Sequence, residues 1–136
     1  MVRELVQNPL MLNAKSVRAT EEDVDVARDL IDTLQAHLDR FSGMAAVMIG
    51  ERKRIIAIAK GSMVIAALNP KILSKSGEYE TEEECPLLGK ATKVVRYKTI
   101  RLLWQDGNMK EHVALLDGFQ AQLVQHLIDH CDGIVV

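Results

Sequence analysis

Residues 54–68, RIIAIAKGSMVIAAL, hold two short apolar runs, Arg54 to Ala59 and Met63 to Leu68, parted by Lys60-Gly61-Ser62. Both are rich in β-branched residues, and the glycine between them suits a tight reversal, so the stretch reads as two strands, a candidate hairpin. Two more strands are expected downstream, Thr92 to Trp104 and His112 to Leu116, with Asp106-Gly107 between them as a hairpin-turn signal. A helix is expected on each side of this set. Thr20-Glu21-Glu22-Asp23 offers a hydroxyl to cap free N–H groups and acids that suit the first turn's dipole. Behind it Val24, Ala27, Ile31, Leu34 and Leu38 recur at three- and four-residue steps, giving one apolar helical face through about His37 or Leu38. Phe41-Ser42-Gly43 then breaks the pattern. Asp117-Gly118 can start a last helix through about Cys131, ahead of Gly133 and the apolar tail Ile134-Val135-Val136. Helix, mostly antiparallel sheet, helix: the expectation is a single α+β domain over residues 1–136.

Bulk properties narrow the function classes. The chain has 136 residues, 48% hydrophobic and 26% charged, with a net charge of −2. Nothing in that balance suggests a nucleic-acid footprint or a membrane-surface patch. No apolar run approaches the roughly 18 residues that span a bilayer. Met1 to Lys15 mixes acid, base and Pro9 with its apolar residues, which is wrong for a secretory leader. Cys85 and Cys131 do not make a disulfide framework, and a reducing cytoplasm is the expected location.

The segment with chemical interest is His126-Leu127-Ile128-Asp129-His130. On a helix, residues four apart differ by about 40° in azimuth and one turn in height, so two imidazoles can converge on one ion. A third ligand must come from elsewhere, and the soft thiolate of Cys85 is the upstream candidate. Cys plus two His leaves one tetrahedral position open, as catalytic sites do. Taken alone, His-x-x-x-His reads first as two unrelated surface or core histidines, because the spacing is common by chance.

Three segments together say more. Gly43-Met44-Ala45-Ala46-Val47-Met48, Glu83-Glu84-Cys85-Pro86-Leu87 and Gln125-His126-Leu127-Ile128-Asp129-His130-Cys131-Asp132-Gly133 follow one another along the chain. In order and spacing they resemble the three motifs of the peptide deformylases, Gly-Leu-Ala-Ala-x-Gln, Glu-Gly-Cys-Leu-Ser and Gln-His-Glu-x-Asp-His. The resemblance spans essentially the whole chain, leading helix included. It implies that family's fold and one divalent metal ion, ferrous iron with nickel or zinc in exchange. It implies N-formylmethionyl peptides as ligands, from which the family's hydrolases remove formyl during protein biosynthesis. Cys85, His126 and His130 match the metal ligands. Glu83 matches an acid that orients a ligand imidazole. Gly43, Met44 and Glu84 fall along the substrate groove.

The same resemblance exposes departures. Leu127 stands where the family has a proton-shuttling glutamate, and leucine carries no exchangeable proton. Met48 stands at an oxyanion-stabilising glutamine, and a thioether donates no hydrogen bond. Pro86 follows the cysteine, where a backbone N–H is needed and proline has none. Glu84 replaces a glycine, adding bulk and charge. Two readings follow: a pseudoenzyme or binding module with weak or absent activity, or an active deformylase with a displaced base such as Glu84. A third is a structural remnant whose site holds no metal.

Blander assignments cover the rest. Cys131 reads as a buried thiol, His37 and His112 as surface residues without partners, and Trp104 and Phe119 as core aromatics. Glu80 to Glu84 reads as a solvated loop or edge strand.

Overall fold

The computed structural model describes residues 1–136 apart from Gln7, Pro86, Leu88 and the Pro9 side chain. Five antiparallel strands form one sheet in sequence order: β1 (Gly43–Ala45), β2 (Ile55–Lys60), β3 (Met63–Cys85), β4 (Lys90–Gln105) and β5 (Glu111–Asp117). Two α-helices accompany it, α1 (Val24–Gln35) and α2 (Gly118–Cys131). The expected α+β architecture is present.

The hairpin of residues 54–68 is there, with Ile55 opposite Leu68 and Lys60 opposite Met63. Gly61, at φ 64°, takes the left-handed conformation that this reversal needs. The second arm, however, does not stop at Leu68. It runs to Cys85 and changes partner, from β2 to β4. The change happens at Asn69-Pro70, where the register shifts between Leu68 and Lys71. Asn69 adopts φ 51° and Pro70 has no N–H for a ladder, which are the ordinary ingredients of a bulge. The Asn69 amide holds this bend by hydrogen bonds to the Ala19 backbone at 2.7 and 2.8 Å. The acidic stretch Glu80 to Glu84 is therefore strand, within β3.

Other differences are local. Glu21–Asp23 forms a 3-10 turn capped by Thr20 before α1 begins, and Leu38 lies past its end, 44% exposed. The β4–β5 connection is longer than a two-residue turn. Asp106 closes it by accepting from the N–H groups of Asn108 and Lys110. His112 is not without a partner: its Nε2 is 2.7 Å from Asp106 and its ring stacks on Trp104. Phe119 is no core aromatic, being 64% exposed beside the start of α2.

The core joins Ala27, Leu30 and Leu34 of α1 to Ile55, Ile56 and Leu68 of the hairpin. Ala121, Val124, Leu127 and Ile128 bring α2 into the same cluster. Gln125 ties α2 to β4 in register, accepting from Tyr97 N–H at 2.9 Å and donating to Tyr97 C=O at 2.8 Å. No helix among the described residues is long and apolar enough to cross a membrane.

Candidate metal centre

At the end of β3 the pleat turns Glu83 and Cys85 inward, and leaves Glu82 and Glu84 exposed on the other face. Helix α2 lies against this end of the sheet with His126 and His130 one turn apart. Cys85 Sγ and one nitrogen of each ring all lie within 4.8 Å of one another. The Nε2 atoms of the two rings are 3.1 Å apart. Two nitrogens bound tetrahedrally at about 2.0–2.1 Å to one ion stand about 3.4 Å from each other, so the observed spacing suits a shared ion. The donor set, one thiolate and two imidazoles, is the borderline-soft kind that takes zinc, nickel or iron rather than magnesium or calcium.

A buried carboxylate organises these donors. His126 turns Nδ1 to Glu83 Oε1 at 2.8 Å, which leaves Nε2 for the shared position. Glu83 also accepts from Arg96 Nη2 at 2.7 Å, from Arg96 Nε at 3.0 Å and from Gln122 Nε2 at 2.9 Å. Arg96 in turn donates through Nη1 to Asp129 at 2.7 Å, so one guanidinium on β4 bridges β3 and α2. His130 is wholly buried, and its Nδ1 has no hydrogen-bond partner among the described residues.

The electrostatics follow from this packing. Burial opposes ionisation of Glu83, but hydrogen bonds from His126, Arg96 and Gln122 outweigh it and hold the carboxyl down at about 2. Burial likewise resists charge on both Cys85 and His126. Hydrogen bonds from His126, His130 and the Leu87 backbone nevertheless bring the thiol down to about 6. Contacts with Cys85 and Glu83 lift His126 to about 9. Without a metal the trio is thus a thiolate beside an imidazolium, already deprotonated at the sulfur as ligation requires. Cys131 has no such help. Burial pushes it up to about 12, and its thiol is not part of the cluster.

A cavity of about 280 Å³ opens beside Cys85 and His126, walled by Gly43, Met48, Glu84 and Leu127 among others. Leu127 is 2% exposed and packs so closely on Gly43 that a Cβ there would lie 2.8 Å from its Cδ1. The Met48 sulfur accepts from the Ala45 N–H at 3.3 Å, turned toward backbone within its own turn. Met44 does not line the cavity: it alternates away from Gly43 along β1 and is fully buried in the core. Pro86 lies outside the described residues. Sequence reasoning passed over Arg96 and Gln122. Gln122 carried a usable signal, since it precedes His126 by four residues and so shares its helical face. Arg96 carried none, being one of several cations along β4, with Lys93, Lys98 and Arg101.

Known proteins share this fold. The family model for polypeptide deformylase matches residues 2–136. A peptide deformylase of Clostridium beijerinckii is 42% identical over 136 residues, covering all of both chains. One from Dictyoglomus thermophilum is 35% identical, covering all of this chain and 91% of its own length. Among solved structures, a peptide deformylase from Legionella pneumophila superposes with a TM-score of 0.85 at 29% identity, covering 98% of this chain and 82% of that one. That from Thermus thermophilus also gives 0.85, at 28% identity, covering 99% of this chain and 83% of that one. A whole-chain motif match, a full-length relative and a superposable fold agree: the chain belongs to the polypeptide deformylase family.

Proposed function

We propose that this chain holds a divalent metal through Cys85, His126 and His130, receives N-formylmethionyl peptides in the adjoining cavity, and deformylates them slowly or not at all. Peptide deformylases use a single divalent metal, typically ferrous iron, and the donor set here suits that ion, with nickel or zinc as substitutes. When bound, the ion supplies Lewis acidity at the cavity wall.

The chain's own groups do the rest. Glu83 fixes the His126 ring and its tautomer through the 2.8 Å contact at Nδ1. Phe41, Met48, Leu123 and Leu127 give the cavity apolar walls that accept an aliphatic or thioether side chain and exclude water. Between the two histidines, where the family has its proton carrier, this chain has Leu127. Glu83 is held ionised near 2 by its neighbours and every donor around it is committed. Glu84 alternates to the opposite face of β3 from Cys85. Losing a general acid/base costs about 10²–10⁴ in rate. Met48 and Pro86 remove hydrogen-bond donors for a developing oxyanion, each worth about 10²–10³, although such losses do not simply add. Two cysteines without a disulfide fit a reducing cytoplasm.

The observation that carries the reading is Leu127, a buried apolar side chain between the two histidines at the position of the family's proton shuttle. Formate release from a formyl-methionyl peptide, measured on anaerobically iron-loaded protein, tests it. The expectation is turnover several orders of magnitude below that of an intact family member assayed alongside. Comparable rates would overturn the proposal and favour a displaced base such as Glu84.

A further inference from the structure

We propose that Glu84 makes the cavity select peptides with a cationic side chain one or two residues beyond the formylmethionine. The inference rests on the peptide-binding reading above. Its basis is the edge of the sheet. Beyond Lys71, β3 is paired only on the side of β4, because its other partner, β2, ends opposite Leu68. Among the described residues no strand covers the far edge of residues 78–85. The last part of that edge, Glu82 to Cys85, forms one wall of the cavity, and Phe41 to Gly43 form another. An extended ligand reaching the metal trio along this edge passes the side chains of Glu82 and Glu84 before it passes Cys85.

The two acids are not equivalent. Glu82 sits directly across the ladder from Lys93, the cross-strand position where opposite charges attract, although the two form no ion pair. Glu84 sits across from Ala91 and forms no ion pair among the described residues. It is exposed, so its charge stays solvated until a ligand arrives. Arg40, a cation on the cavity wall, comes from the segment after α1 and stacks over Phe41 at 5.5 Å from the ring centre. The β3 wall is therefore anionic through Glu84, and a peptide lying along it gains from a lysine or arginine and loses from an acid. An exposed contact of this kind changes affinity by a few-fold for each sign, so a lysine peptide should bind about three- to tenfold more tightly than its glutamate counterpart.

The test uses the nickel-loaded full chain and calorimetric affinities for formyl-methionyl tripeptides that differ only in Lys, Gln or Glu at the second residue, with a matched set varied at the third. The expected order is Lys, then Gln, then Glu in at least one set, with the spread shrinking as salt is raised. Glu84→Gln should collapse the Lys-to-Glu ratio to about one. Glu111→Gln, which removes one negative charge from β5 at the other edge of the sheet, should leave the ratio intact. Equal affinities in both sets, or a ratio that survives Glu84→Gln, overturn the assignment while peptide binding itself stands. If no tripeptide binds, not even the neutral one, the peptide-binding reading fails and the selection falls with it.

Discussion

Replacing Arg96 by leucine should both destabilise the protein and loosen its metal. The guanidinium is only 6% exposed and serves two carboxylates, Glu83 at 7% and Asp129 at 24%. Leucine fills part of the space but leaves the buried Glu83 carboxylate with His126 as its one remaining charged neighbour among the described residues, and strips Asp129 of its guanidinium. Removing one partner of a buried pair typically costs about 3–5 kcal/mol. For 136 residues the unfolding entropy is about 0.3 kcal/mol/K, so Tm should fall by about 10–17 °C. Glu83 would also lose its Arg96 contacts and keep Gln122 alone to fix it against His126, and such supporting groups are worth about 10–100-fold in metal affinity. Thermal melts of the metal-free protein give the first quantity; competition with a chromogenic chelator gives the second. Arg96→Lys should be intermediate, because an ammonium keeps the charge but not the fork that reaches both acids. A Tm drop under about 3 °C with unchanged metal affinity would refute the idea that this guanidinium holds the site together.

Thiol chemistry separates the two cysteines. In metal-free protein near neutral pH, iodoacetamide should label Cys85, a thiolate on the cavity wall, far faster than Cys131, whose thiol is buried and pushed up to about 12. Metal should protect Cys85. Peptide mapping checks this, and equal labelling of both positions would contradict the electrostatic picture. If Leu127 stands at the family's proton-shuttle position, as proposed above, Leu127→Glu supplies a carboxyl there but leaves Met48 and Pro86 in place. Formate release should then rise by no more than about 10²-fold and remain well short of an intact family member. Recovery to family rates would sink the proposal that Met48 and Pro86 deprive the cavity of oxyanion donors.

The hairpin at 54–68 could be read from its two β-branched runs about Gly61, and the final helix from Asp117-Gly118 ahead of it and Gly133 behind. The far half of β3 could not. From Leu73 to Glu78 it is exposed on both faces, so no apolar period marks it, and the half-buried alternation of Tyr79 and Thr81 with Glu78, Glu80 and Glu82 is too short and too acidic to tell an edge strand from a solvated loop. β1 is three residues long, too short for any period, although it carries Gly43 to the cavity. Leu38 fits the helical period of α1 yet falls in the turn after it, since periodicity does not mark where a helix ends. At the site, the trio of Cys85, His126 and His130 was legible because motif order survives without any geometry. Arg96 was not, because its role comes from a contact between β3, β4 and α2 that only the fold creates. Met44 was assigned to the groove from its motif neighbours, and the pleat of β1 sends it the other way.

If one sulfur and two imidazoles serve a common ion, metal stoichiometry after anaerobic purification should read it out. Close to one divalent metal per chain is expected in the unaltered protein, with a sharp loss in Cys85→Ser, His126→Ala and His130→Ala alike, because a hydroxyl or a methyl cannot replace these donors. Undiminished occupancy in Cys85→Ser, or no metal in the unaltered protein even after loading, would contradict it.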